Sequence, residues 1–147
     1  MYSEEQLQMI DNLVATTVMG WHLSECTMMD MRTNHWSRRS CWEDGEGRYG
    51  AMVNDWHIGN VPSDGAPDLL PDYPGWHPTQ RRDDALRVFA ACPDMVLEHK
   101  GEGYNAHGPI DWKAGNFGYY ADAPTPMLAI CLAALRRAGV EVPNAQV

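Results

Sequence analysis

Phenylalanine is almost missing from this chain, which holds two against six tryptophans and six tyrosines. Long apolar runs are missing too. The longest, residues 127–135, is far short of the roughly 20 residues needed to span a bilayer. Cations are scarce: 11 lysines and arginines face 20 acids, for a net charge of −9. That excludes a general duplex-DNA or RNA binder, which must displace counterions from phosphates. It leaves room for a small anion in a local basic pocket. The N-terminus opens on Glu4 and Glu5, where a secretory leader would be basic and then apolar, so no leader is expected. Cys26, Cys41, Cys92 and Cys131 include no C-x-x-C pair. Without a secretory signal a disulfide framework is not expected, and buried free thiols are.

Catalytic signatures are absent as well. There is no H-E-x-x-H metal pair and no G-x-S-x-G nucleophile elbow. His22 and Cys26 are four apart, a helical spacing, but Gly20 has just ended a helix. Cys41 beside Arg38 and Arg39 has no spacing support for Cys–His chemistry. Gly45-Glu46-Gly47 and Gly101-Glu102-Gly103 lack the Lys-Ser/Thr of a phosphate loop. Their central glutamates would repel phosphate, and hairpin turns explain both. No cofactor, no metal site and no turnover are expected.

What is present fits one α+β domain over residues 1–147, with about three helices and four to six mainly antiparallel strands. Residues 3–19 read as a helix with a Ser3/Gln6 capping box, a Leu7, Ile10, Leu13, Val14, Val18 stripe and a Gly20 stop. Residues 21–58 read as short aromatic strands with turns near Thr33-Asn34 and Asp44–Gly47. Five prolines within residues 59–78 mark a surface loop. A second helix, capped by Thr79, runs over residues 80–92 to Pro93. Residues 95–99 and 111–119 are strand candidates, the second bent at Gly115 and Gly118. The last helix opens with Thr125 as cap and Pro126 at its first position, and carries its packing face from Met127 to Ala138.

Three stretches together carry a likeness. They are Val18-Met19-Gly20-Trp21 at the first helix stop, Tyr120-Ala121-Asp122-Ala123-Pro124 before the last helix, and Ala129-Ile130-Cys131-Leu132-Ala133-Ala134-Leu135 within it. With them the chain resembles the phage ABA-sandwich domain family of tailed-phage and prophage accessory proteins over nearly its whole length. The resemblance implies a helix–sheet–helix sandwich, a phage accessory role and a life in the host bacterial cytoplasm. It brings no catalytic residues.

Two clusters are candidate sites. Arg32, Arg38, Arg39 and Arg48 interleave with Trp36, Trp42 and Tyr49. Guanidinium forks suit phosphate and indole faces suit a base, although Glu43, Asp44 and Glu46 are there to pair with these arginines. Asn105, His107, Lys113, Asn116, Tyr119 and Tyr120 form the second cluster, ahead of a helix N-terminus. The first function expected is binding of a small anionic ligand, such as a nucleotide immune signal, without turnover. This would be a counter-defence sponge, with homo-oligomerisation open. The alternatives are a module binding a host protein through its Trp- and Pro-rich surfaces, Trp76 above all, and a nucleotide-acting enzyme. No duplex nucleic acid and no membrane are expected as partners.

Overall fold

The computed structural model describes residues 1–30, 34–56, 73–101, 104–105, 108–109 and 111–142. They form a mixed α+β fold of helices and antiparallel sheets. The helices are α1 (Glu4–Leu13), α2 (Arg82–Ala91) and α3 (Pro126–Arg137). The strands are β1 (His22–Asp30), β2 (His35–Glu43), β3 (Tyr49–Met52), β4 (Val96–His99), β5 (Tyr104–Asn105), β6 (Gly108–Pro109), β7 (Trp112–Asn116) and β8 (Tyr119–Ala123). No helix among the described residues is long and apolar enough to cross a membrane. The chain divides into two compact units, residues 1–20 with 77–147 and residues 21–76.

The first unit is built around α3. Thr125 caps it by accepting the Leu128 N–H, and Pro126 takes the first turn. The expected single packing face is exceeded, because every residue from Leu128 to Leu135 is buried. The antiparallel sheet β4–β7–β8 packs on α3 through β7 and β8, and α1 and α2 also pack on it. Ala114, Ala121 and Ala123 are buried in β7 and β8, and such small side chains let a helix approach a sheet closely. On the other side of this sheet Val96, Glu98 and Tyr120 are exposed, as antiparallel sheets allow.

Three expectations change here. The first helix keeps its capping box but turns into a π-turn over Val14–Val18. The Thr16 and Thr17 hydroxyls donate to the Leu13 carbonyl, and Thr16 also to Asn12, competing with backbone donors there. Thr79 is not the cap of α2; Arg81 stands at that position. The Thr79 N–H donates instead to the buried Asp11 carboxylate at 2.9 Å, which holds residues 77–81 in a turn and delays the helix. Residues 111–119 are not one bent strand, because the chain reverses at Phe117-Gly118 and pairs β7 with β8.

The second unit is the meander β1–β2–β3 with a tryptophan interior. Trp21, Trp42, Trp56 and Trp76 are buried, and Trp21 meets Trp76 edge-on with centroids 4.7 Å apart. Trp76, whose exposure would have favoured a partner surface, is 1% exposed. Its N–H donates to the Met52 carbonyl, and Gly75 bridges Met52. Residues 57–72, most of the proline-rich loop, lie outside the described residues. The expectation of four free thiols also fails: Cys26 and Cys41 form a disulfide between β1 and β2. Register explains the pairing. Cys26 lies opposite Arg39 and Cys41 opposite Ser24, so the two cysteines are diagonal neighbours on one face. Only Cys92 and Cys131 are free, and both are buried.

Candidate functional site

A strand turns successive side chains to opposite faces, and this decides the fate of the arginine–tryptophan cluster. Trp36, Arg38 and Trp42 share one face of β2, while Arg39 shares the other with Cys41. Arg39 lies over the Trp56 ring, 4.9 Å from its centroid. Trp36 is 65% exposed, whereas Trp42 is buried, its indole N–H without an acceptor among the described residues. Arg48 is held in the β2–β3 turn by Asp44 and Glu46, both at 2.9 Å. The same Asp44 carboxylate accepts the Glu46 and Arg48 N–H groups. These bonds, led by the Arg48 N–H, lower its pKa. Tyr49 stands exposed beyond that turn. Arg32, His107 and the Asn105 side chain lie outside the described residues. The arginines are therefore spread over two faces and a turn.

Lys113 belongs to a different place, the side of the β4–β7–β8 sheet where Val96, Glu98 and Tyr120 are exposed. In β7, Trp112 and Ala114 alternate with Lys113 and Gly115. The register puts Glu98, Lys113 and Asp122 in one row across the three strands, and Val96, Gly115 and Tyr120 in the next. Together with Asn116 and Phe117, all of these but Asp122 line a cleft of about 310 Å³. Gly115 lets β8 approach closely: its φ is 143°, and a Cβ there would collide with the Tyr119 carbonyl and with Tyr120. Phe117 is fully exposed at the β7–β8 turn, and Val96 and Tyr120 are more than half exposed.

Charge in the cleft is arranged rather than neutralised pair by pair. The Lys113 ammonium lies 4.8 Å from the Tyr120 ring centroid, a cation–π contact. Asp122 is engaged by Lys100 at 3.7 Å, and among the described residues Lys113 closes no ion pair. Asp94, in the turn before β4, holds the hairpin. Its carboxylate accepts the Tyr119 hydroxyl at 2.9 Å and Arg137 Nε at 2.8 Å, and its carbonyl accepts the Asn116 amide. The Asn116 oxygen in turn accepts the Phe117 N–H. A ligand could stack on Tyr120 and Phe117, place an anionic group at Lys113 and donate a hydroxyl or amino proton to Glu98. Of these residues the sequence had pointed to Lys113, Asn116 and Tyr120. Val96 and Glu98 come in through β4 register, which has no local signal.

No protein family, curated protein or solved structure matches this chain.

Proposed function

We propose that the protein works by binding, without turnover, a small anionic molecule that carries a flat ring, and that the β4–β7–β8 cleft receives it. The carrying observation is the Lys113 ammonium poised over Tyr120 beside an unshielded Phe117 ring. Cation and aromatic faces converge there, as recognition of a phosphate-bearing ring requires. The volume stands at the small end of ligand pockets, roughly 300–1,000 Å³. In the setting that the phage resemblance implies, the ligand is a nucleotide immune signal and the compartment the host bacterial cytoplasm. A second reading, a host-protein partner, is favoured by the full exposure of Phe117.

Mono-, cyclic and ADP-ribose-type nucleotides are incubated with the protein, and free ligand is measured after filtration and again after heating. One nucleotide is expected to be depleted and to return intact. Lys113→Ala is expected to weaken that binding by about 1.5–3 kcal/mol, the worth of a hydrogen bond to a charged group. Arg38→Ala with Arg39→Ala should leave it unchanged. Depletion lost in the double arginine variant and kept in Lys113→Ala would move the site to β2. A ligand returned altered would mean an enzyme. No depletion would leave the protein-partner reading.

A further inference from the structure

The face of the β1–β2 ladder that carries the disulfide holds more than a disulfide needs. Along β1 it presents His22, Ser24 and Cys26, and along β2 Glu43, Cys41 and Arg39, in direct cross-strand pairs. The sulfurs of Cys26 and Cys41 and a Glu43 carboxylate oxygen all lie within 4.8 Å of one another. His22 Nε2 stands 3.8 Å from Glu43 Oε2. The four-residue spacing of His22 and Cys26, meaningless on a helix that has ended, puts them on one face of a strand.

We propose that the reduced form of this ladder is a zinc site, with Cys26, Cys41 and Glu43 as ligands, water in the fourth place and His22 beside Glu43 orienting its carboxylate. Reduction by a thiol compound balances: the disulfide takes two electrons and two protons from two thiols, leaving two cysteine thiols and a small-molecule disulfide. Zinc then replaces the two thiol protons, which leave to solvent. Two thiolates and a carboxylate are a zinc set and not a magnesium or calcium set. Tetrahedral zinc with Zn–S near 2.3 Å needs sulfurs about 3.8 Å apart, within reach of cysteines whose Cα atoms are 5.9 Å apart. The filled site carries one negative charge, a dication against three anionic ligands. Arg39, directly across from Cys26 on the same face, supplies a facing cation. Glu43 is 22% exposed and His22 56% at their side chains, so the ion arrives from the His22 side. Exchange with a small-molecule disulfide, which takes the two electrons and leaves as two thiols, closes the Cys26–Cys41 bond and expels the ion, which makes the site redox-gated. In a reducing cytoplasm, where disulfides are rare, the zinc form is the resident one.

The free thiols are poor competitors, since burial pushes up the pKa of both Cys92 and Cys131.

The full chain is reduced with a phosphine, which does not hold metal as dithiols do, and titrated with cobalt(II) as a spectroscopic stand-in for zinc. One equivalent should bind with a thiolate-to-cobalt charge-transfer band, zinc should displace it, and the oxidised protein should show no band. Glu43→Gln and His22→Ala keep both cysteines and should each weaken binding roughly tenfold or more, the scale known for losses around metal sites. A missing band, or an equal band in oxidised protein, overturns the site. So does cobalt affinity unchanged in both variants, and that outcome does not depend on how a cysteine variant folds.

Discussion

The unit of residues 1–20 and 77–147 and the unit of residues 21–76 meet the same burial requirement with different materials. The first wraps α3, buried from Leu128 to Leu135, in a sheet, two helices and a π-turn. Alanines at the contacts let backbones approach, so many small side chains share the interior. The second has no helix among its described residues. It fills its interior with four tryptophans and ties β1 to β2 covalently. Large rings bury much area from few positions, and a segment below about 70–80 residues commonly needs a staple. One unit is therefore sensitive to cavities anywhere along one helix, the other to a few rings and one bond.

The largest effects should come from truncating each interior. Trp76→Ala is expected to cost about 3–5 kcal/mol and Leu135→Ala about 2–5 kcal/mol, read from denaturant midpoints. Amide exchange sharpens the contrast. Trp76→Ala should expose the β1–β3 amides first, and Leu135→Ala those of α3, β7 and β8. If both variants lose protection along the same strands, the division into two units does not describe how the chain opens.

Next in size is the staple. Its two cysteines are 15 residues apart, and closing a loop of that length is worth about 3 kcal/mol. Cys26→Ser with Cys41→Ser, in metal-free buffer, should lower stability by that amount and weaken protection in β1 and β2. α3 should keep its protection. A loss of equal size in α3 would tie the two interiors together.

How far the sequence revealed this contrast depends on how local each cause is. The Ser3/Gln6 box and the Thr125–Pro126 start are made within one helical turn, and both stand where the residues announced them. Thr79 misled because its partner, Asp11, is 68 residues away. The disulfide was missed because a compartment argument cannot see a diagonal pair that only register creates. Six tryptophans left two readings open, an adhesive surface or a core short of phenylalanine, and four of them are buried. Arg38 and Arg39 looked like a pair because they are adjacent, and adjacency in a strand means opposite faces. The cleft was half legible: Lys113, Asn116 and Tyr120 cluster in sequence, while Val96 and Glu98 reach them only through the pairing of β4 with β7.

The smallest expected effect concerns two surface carboxylates, one in each unit, Asp44 half-buried and Asp94 exposed. Asp44 closes a local turn, its carboxylate accepting from Glu46 and Arg48. Asp94 joins distant segments by accepting from Tyr119 and Arg137. Both carboxyls are held below the ordinary range, Asp44 first by the Arg48 N–H and Asp94 first by the Tyr119 hydroxyl. A lowered folded-state pKa stabilises the fold above the ordinary carboxylate range, and that stabilisation is lost as pH falls through the lower folded value. Asp94→Asn should therefore unfold at lower denaturant than the parent near neutral pH, and the gap should close in strong acid. Asp44→Asn should move the midpoint less, because its bonds break with the turn and not with the fold. A deficit in Asp94→Asn that persists unchanged into acid would mean that Asp94 works as a neutral acceptor fixing the β7–β8 hairpin. Its charge would then be incidental to the cleft that the hairpin shapes.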